Sequence, residues 1–275
     1  MRCAVLGDPV DHSLSPVIHR AAYRGLGLDD WRYDAVQVAA GGLRGFVDGM
    51  DPALWRGLSL TMPLKREALP LLSSYDGWVA ATGACNTVLL EPDGTRYGLN
   101  TDVTGALMVL GEHDVPVHHA VVLGGGATAT SMLLALAERG MRHATLVVRN
   151  PERAADTVHA VAAHRSAPTV ELRTLEGSEE LLGDVLVSTV PTSALVPELL
   201  AAVAEIPLVL DVVYDPWPTP LAAAAERAGR TVLSGLDLLL AQAINQVVAM
   251  TGRHDVPAGA MRRAAEEELA ARITR

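Results

Sequence analysis

The chain has 275 residues, 49% of them hydrophobic, and a formal net charge of -10. This length suits two domains with sizeable cores, and the acidic charge argues against a nucleic-acid partner, whose phosphates bind Lys and Arg. The longest apolar stretch, residues 236–250, is interrupted by polar side chains, and the first residues are too few for the apolar core of a leader segment. We therefore expect a cytoplasmic protein without membrane segments, whose partner is a small molecule.

The first third alternates apolar runs of strand length with segments of helical period. In chain order these are residues 3–6, 16–26, 31–38, 42–47 and 57–60. Such alternation is typical of βαβ units and predicts a largely parallel sheet.

A second α/β series begins at residue 120. It comprises predicted strands at 120–123, 144–148, 184–188, 207–212 and 231–233, with helices at 128–139, from 151, and at 220–228. Two further helices, 236–250 and 258–271, are expected to return to the first domain. The sequence thus predicts an α/β fold of two domains, one formed by residues 1–103 plus 237–275 and the other by residues 104–236.

A glycine-rich turn follows the first strand of this second series. Its residues, which open the next helix, are Gly124, Gly125, Gly126, Ala127, Thr128 and Ala129. They fit the pattern G-x-G-x-x-A, in which glycines permit a tight turn and let a pyrophosphate approach the helix N-terminus. This pattern predicts a Rossmann-like dinucleotide-binding domain, the alternative being a turn with only a structural role.

Arginine follows the next predicted strand, where NAD-binding chains usually carry an acid. Arg149 can pair with a 2′-phosphate through two parallel hydrogen bonds, and Arg153 lies close enough in sequence to help. The sequence therefore favours NADP over NAD. The alternative is that both are ordinary surface residues at a helix start.

Lys65 is the only lysine of the chain, and the other residues counted as Lys or Arg are all arginines. A lysine ammonium, unlike a guanidinium, has a pKa that burial or nearby charges shift, so it is able to release a proton during turnover. Lys65 is therefore a candidate catalytic residue, unless the arginine excess only reflects a biased genome.

Polar clusters stand at predicted strand ends and helix starts of the first domain, where open α/β sheets bind ligands. They contain Ser13 and Ser15, Thr61, Asn86, and Asp102. Each also has a structural alternative. Ser15 is a possible helix N-cap before a proline, Asp102 is a possible cap of a helix at 103–110, and Asn86 is a possible turn residue.

These clusters, taken together, resemble the shikimate dehydrogenase family over nearly the whole chain. The family's G-x-P-x-x-H-S-x-S-P opening matches residues 7–16, T-x-P-x-K matches 61–65, G-A-x-N-T matches 83–87, N-T-D matches 100–102, and Q-A matches 242–243, after Gly235.

The resemblance implies reversible reduction of 3-dehydroshikimate to shikimate with NADPH, in aromatic amino acid biosynthesis. It implies that Lys65 and Asp102 form the catalytic pair, with an N-terminal substrate domain completed by the C-terminal helices and a Rossmann-like NADP-binding domain. The implied substrate-binding residues are Ser13, Ser15, Thr61, Asn86, Tyr214 and Gln242. The implied cofactor-binding residues are the glycine turn 124–129, Arg149, Arg153 and Gly235.

Several positions depart from the common family pattern. Ser59 stands where many members have asparagine, which puts one substrate hydrogen bond in doubt. Asp237 and Leu238 replace the usual glycine and methionine near the nicotinamide, and Val148 replaces the asparagine of N-R-T.

Alternatives remain open at this point. His12 or His19 could supply the acid. The substrate could be quinate or an aminoshikimate, and the chain could be a non-catalytic dinucleotide-binding regulator or an NADP enzyme that acts on folates. We expect no metal, since neither the cysteines nor the other histidines have ligand spacing, and we expect a monomer or a homodimer.

Overall fold

The computed structural model describes residues 1–113, 115–174 and 180–273. Its contacts divide the chain into two compact units. The first consists of Met1–Thr101 and Leu239–Arg275, and the second is Asp102–Leu238.

The N-terminal segment of the first unit alternates strands with short helices. Its elements are β1 (Arg2–Gly7), α1 (Ser15–Gly25), β2 (Arg32–Gln37), α2 (Leu43–Asp48), β3 (Trp55–Leu60), β4 (Ser74–Tyr75), α3 (Gly77–Thr82), β5 (Thr87–Leu90) and β6 (Arg96–Leu99).

The rest of the chain continues the alternation and ends in two long helices. Its elements are α4 (Thr101–Gly111), β7 (His119–Leu123), α5 (Ala127–Glu138), β8 (His143–Val148), α6 (Ala155–Ala162), β9 (Thr169–Thr174), β10 (Val185–Ser188), α7 (Pro197–Ala202), β11 (Leu208–Asp211), α8 (Pro220–Arg227), β12 (Thr231–Ser234), α9 (Gly235–Thr251) and α10 (Ala258–Ile273).

The sheet of the first unit is mixed: the three strands predicted within residues 3–60 are parallel, as expected, and the antiparallel pairs involve β5, which was not predicted. The strand order is β2-β1-β3-β5-β6-β4. Strands β1, β2 and β3 are parallel, whereas β5 pairs antiparallel with both β3 and β6. The β5–β6 pair is antiparallel because a tight turn joins the two strands. Gly94 adopts a positive φ of 84° in it, and the Glu91 and Thr95 backbones are hydrogen-bonded across it. A connection this short joins only antiparallel strands.

The end of α9 packs into the first unit. Met250 is 1% exposed in a core cluster with Cys3 and Val5, and its carbonyl accepts a hydrogen bond from Arg56 Nε at 3.1 Å. A Cβ at Gly57 would lie 2.8 Å from Met250 Cγ. The absence of a side chain on β3 therefore lets α9 approach the sheet closely.

The second unit contains a parallel sheet of order β12-β11-β10-β7-β8-β9. This is the doubly wound order of Rossmann-like folds, with a topological switch point between β7 and β10. Every residue of β10 and β11 is buried, as expected of strands covered on both faces. The predicted α/β class with a Rossmann-like domain is confirmed.

Within the described ranges, no helix has the length and apolarity needed to cross a bilayer. In the same part of the chain, no group of three or more His, Cys, Asp or Glu side chains is arranged to hold a metal ion.

Candidate active site

One edge of the first sheet gathers four of the predicted polar segments. Parallel strands β1 and β3 end there, and antiparallel β5 begins there, because Ser59 pairs with Thr87. Strand β6 ends at the same edge, because Leu99 also pairs with Thr87. The loops after β1 and β3, the start of β5 and the start of α4 are therefore neighbours.

The loops after β1 and β3 are hydrogen-bonded to each other. The Thr61 amide donates to the Leu6 carbonyl at 2.9 Å, and the Asp8 amide donates to the Met62 carbonyl at 2.9 Å. A Cβ at Gly7 would lie 2.2 Å from Thr61 Cγ2 and 2.9 Å from the Met62 carbonyl oxygen. Only glycine at this position permits so close an approach.

The loop after β1 carries Ser13 and Ser15. Helix α1 begins at Ser15, its N-cap residue is Leu14, and the cap makes no side-chain hydrogen bond. The alternative of Ser15 as an N-cap is therefore wrong. Instead, the Ser15 amide donates to Ser13 Oγ at 3.2 Å. Ser15 is buried and Ser13 half-buried; Ser13 lies in the loop after β1, and Ser15 is the first residue of α1.

Lys65 is held by its backbone in the loop after β3. The Cys85 amide donates to the Lys65 carbonyl at 2.8 Å, and the neighbouring Leu64 is fully buried. Lys65 and Thr61 are themselves half-buried. The buried Leu64 therefore anchors the backbone next to the half-buried Lys65.

Asn86 joins the start of β5 to the start of α4. Its Oδ1 accepts from the Thr101 amide at 2.8 Å and from Thr87 Oγ1 at 2.9 Å, and its Nδ2 donates to Thr101 Oγ1 at 2.9 Å. Asn86 therefore caps the start of α4 from a distant part of the chain, and this role replaces the alternative that Asn86 is a turn residue.

Asp102 lies in the first turn of α4, which begins at Thr101. It therefore does not cap a helix at 103–110, and that alternative is wrong. Asp102 is 8% exposed, and a carboxylate in the first helical turn is stabilised by the helix dipole.

Gln242 on α9 lies close to this cap. Its Oε1 is 3.5 Å from Thr101 Oγ1, and its Nε2 donates to the Leu239 carbonyl at 2.8 Å. It is 7% exposed. A residue distant in sequence thus stands beside the Asn86 cluster.

His19 is a poor candidate for the catalytic acid. It is fully buried and stacks on Tyr33 with ring centroids 3.9 Å apart. Burial lowers the pKa of His19 to about 4, and the hydrogen bond of its ring to the Ser15 carbonyl opposes this only in part. The ring is therefore neutral at pH 7. His12 is exposed, and its carbonyl accepts a hydrogen bond from Arg272 Nη1 at 2.9 Å.

The glycine turn of the second unit is shaped for an anion. Gly124 adopts a positive φ of 99°, and a Cβ there would lie 2.5 Å from Thr189 Oγ1. Gly126 is the N-cap of α5 without a side-chain cap, and among the described residues a Cβ on it would meet nothing within 4 Å. The start of α5 is therefore open beside Gly126, and the first turn contains no acidic residue. These features fit a pyrophosphate.

Two threonines support the glycine turn from beneath, which sequence reasoning missed. Thr157 Oγ1 donates to the Gly125 carbonyl at 2.9 Å and lies 2.7 Å from Thr130 Oγ1. Both threonines are fully buried. A polar residue on the buried side of α6 was the available signal.

The remaining candidates of the second unit follow its parallel strands at the same edge of the sheet. Exposed Arg149 comes directly after β8, and exposed Arg153 lies in the short helix that Asn150 caps. Half-buried Tyr214 follows β11, and Gly235 follows β12.

A buried carboxylate holds the loop that carries Tyr214. Thr219 Oγ1 donates to Asp211 Oδ2 at 2.6 Å, and the Val213 amide donates to Asp211 Oδ1 at 3.2 Å. Burial raises the pKa of Asp211, and these hydrogen bonds oppose the rise. Sequence reasoning missed this pair too, although an acid at the end of an apolar strand signalled it.

Comparisons with known proteins agree with this arrangement. Residues 5–88 match the family model described as the shikimate dehydrogenase substrate binding domain. A shikimate dehydrogenase (NADP(+)) of Moorella thermoacetica is 36% identical over 283 residues, covering 98% of this chain and 93% of the relative.

Two solved structures are similar throughout. The shikimate dehydrogenase of Mycobacterium tuberculosis has a TM-score of 0.87 at 38% identity and covers 97% of this chain and 99% of its own. The shikimate 5-dehydrogenase of Thermus thermophilus, in complex with NADP(H) and shikimate, has a TM-score of 0.80 at 29% identity, with coverages of 97% and 99%. The chain therefore belongs to the shikimate dehydrogenase family.

Proposed function

We propose that this protein catalyses the reversible reduction of 3-dehydroshikimate to shikimate with NADPH. The observation that carries the proposal is the shared edge of the first sheet, where Ser13 and Ser15, Lys65 and Asn86 lie on neighbouring segments. Family membership supplies the substrate class, since relatives over the full length are named shikimate dehydrogenases. We propose that residues 1–103 with 237–275 bind the substrate and that residues 104–236 bind the cofactor.

The substrate is a polyhydroxylated ring with a carboxylate. Ser13 and Ser15 supply hydroxyl donors for the carboxylate, while Thr61, Asn86, Gln242 and Tyr214 supply donors and acceptors for the ring hydroxyls. Because the chain is acidic overall, local donors must provide the attraction for an anion.

Arg149 and Arg153 are the proposed partners of the 2′-phosphate of NADP. Their exposed guanidinium groups follow β8, at the side of the glycine turn, where an acid would instead favour NAD. The glycine turn 124–129 is proposed to hold the pyrophosphate, with Gly235 at the nicotinamide side.

NADPH, when bound, supplies the hydride. Lys65 donates a proton to the developing alkoxide or stabilises its charge, and Asp102 orients the ammonium. Acid catalysis and electrostatic stabilisation each contribute roughly 10² to 10⁴ in rate, so rates alone do not separate them. Lys65→Arg does, because a guanidinium retains the charge but does not release a proton.

The test is absorbance of the reduced cofactor with shikimate, quinate or aminoshikimate, each with NADP and with NAD. We expect the highest kcat/KM for shikimate with NADP, and a fall of roughly 10² or more in kcat for Lys65→Met. Faster turnover of quinate would redirect the proposal to a quinate dehydrogenase. Full activity of Lys65→Met would remove Lys65 from the catalytic role.

We further propose a cytoplasmic enzyme that acts as a monomer or a homodimer. Cys3 and Cys85 are buried and not disulfide-bonded, which suits a reducing compartment.

A further inference from the structure

A chain of hydrogen bonds runs through the interior of the first unit and ends at Asn86. We propose that Gln246 is a positioning residue for substrate binding, because through Thr87 it holds the Asn86 side-chain amide in the orientation that the Thr101 backbone amide sets. This inference rests on the proposed function, in which Asn86 contacts a ring hydroxyl.

The orientation of Asn86 follows from a backbone donor. The Thr101 amide lies 2.8 Å from Asn86 Oδ1, and since an N–H only donates, oxygen and not nitrogen occupies this place. Thr87 Oγ1 lies 2.9 Å from the same Oδ1. The Thr87 hydroxyl must therefore donate its single proton to Asn86.

That donation determines the orientation of Gln246. With its proton given to Asn86, the Thr87 oxygen accepts from Gln246 Nε2 at 3.0 Å. Gln246 Oε1 consequently faces Ser59, whose Oγ donates to it at 2.8 Å, and Tyr33 donates to Ser59 at 2.6 Å. One proton arrangement satisfies the whole chain of bonds.

Burial makes this arrangement hard to reverse. Tyr33 and Thr87 are 0% exposed, Asn86 and Gln246 are 2% exposed, and Ser59 is 5% exposed. Turning any one amide would set donor against donor or acceptor against acceptor where water does not replace the lost partner. Gln246 on α9, acting through Thr87, thus holds the amide nitrogen of Asn86 on the side away from the Thr101 amide.

Ser59 takes part in this chain and not in a substrate contact. Its single proton is donated to Gln246, and it accepts from Tyr33. The donor that an asparagine would offer at this position is therefore absent, and Ser59 acts on the substrate through Gln246.

The test uses substitutions that remove or keep one hydroxyl or amide. Gln246→Met and Thr87→Val remove the link at nearly constant volume, while Thr87→Ser keeps it. We expect the first two to raise the KM for shikimate roughly tenfold and to leave the KM for NADP within about twofold, because Gln246 belongs to the first unit. Thr87→Ser should stay near the wild type.

Thr251→Val is the matched control. It makes the same chemical change as Thr87→Val, on the helix that carries Gln246. Thr251 Oγ1 donates to the Val247 carbonyl within α9 and so lies outside the chain of bonds to Asn86. Both KM values should remain those of the wild type.

A double-mutant cycle separates positioning from general weakening of the fold. If Gln246 acts through Asn86, then Gln246→Met has no further effect on the shikimate KM in an Asn86→Ala background. The proposal is overturned if the two effects add, or if Gln246→Met and Thr87→Val both leave the shikimate KM unchanged. Should Gln246→Met fail to fold, the pair Thr87→Val and Thr87→Ser decides.

A readout without turnover keeps the test independent of the proposed function. The side-chain amide signals of Asn86, assigned in 15N–1H spectra by their loss in Asn86→Asp, should shift in Gln246→Met and Thr87→Val but not in Thr251→Val. Absence of shikimate oxidation by the wild type would refute the proposed function, whereas unchanged Asn86 signals in both variants would refute the positioning role.

Discussion

His19→Phe should prevent a large part of the loss in free energy of unfolding that the first unit undergoes in acid. The folded protein holds His19 neutral, with a pKa lowered from the ordinary 6.5 to about 4 by burial. The unfolded chain binds a proton near pH 6.5, so it takes up more protons than the folded chain between these values. The contribution of the neutral His19 to the free energy of unfolding is therefore fully present above pH 6.5 and is lost as the pH falls toward 4.

The magnitude follows from the displacement of the pKa. A change from 6.5 to about 4, at about 1.4 kcal/mol per pH unit, gives about 3 kcal/mol in total, of which about 2 kcal/mol is lost by pH 5. Phenylalanine keeps a ring against Tyr33, which His19 stacks at 3.9 Å, and has no proton to bind.

The assay is urea unfolding followed by tryptophan fluorescence at about pH 7.5 and about pH 5. A Trp217→Phe background leaves Trp31, Trp55 and Trp78, which all belong to the first unit. On going to pH 5, the wild type should lose about 2 kcal/mol more than His19→Phe. An equal pH dependence of the two proteins, or an NMR titration of His19 with a midpoint near 6.5, would refute the reasoning.

Four further substitutions and one conservative control test the second unit. Gly235→Ala should lower Tm strongly in thermal unfolding, because a Cβ there would lie 2.1 Å from the Val212 carbonyl oxygen. Gly126→Ala should instead keep Tm and weaken NADPH binding, because its Cβ would occupy open space at the start of α5. Arg149→Gln should raise the KM for NADPH roughly tenfold or more and leave that for NADH unchanged; an equal rise for both cofactors would contradict the 2′-phosphate contact. Thr219→Val should cost about 1–3 kcal/mol in urea unfolding, with recovery in Thr219→Ser, because the hydroxyl bonds buried Asp211 and caps α8; equal stability of the two variants would contradict this.

Local patterns in the sequence were enough to predict much of the fold. The run at 120–123 and the glycines that follow it predicted β7, the turn and α5, because a buried parallel strand is continuously apolar and a close turn requires glycine. The hairpin of β5 and β6 was not predicted. Its strands are only four residues long, and Gly94 was not interpreted as a hairpin turn.

The candidate site was likewise predicted only in part from the sequence. Residue type alone marked Lys65, Ser13, Ser15 and Asn86, since each offers chemistry that a core does not need. The places of Lys65, Ser13 and Ser15 at one sheet edge followed from the predicted strands, whereas the place of Asn86 did not, because β5 was not predicted. The partners of Asn86 did not, because Thr101 is 15 residues away.

The sequence by itself determined the alternation of strands and helices, the glycine turn and the identity of the candidate catalytic and binding groups, because these depend on residues near one another in the chain. Only the tertiary structure decided that Ser59 donates to Gln246 across 187 residues, and that His19 is buried against Tyr33. Hydrogen-bond direction and desolvation depend on which distant groups surround an atom, and no local pattern encodes them.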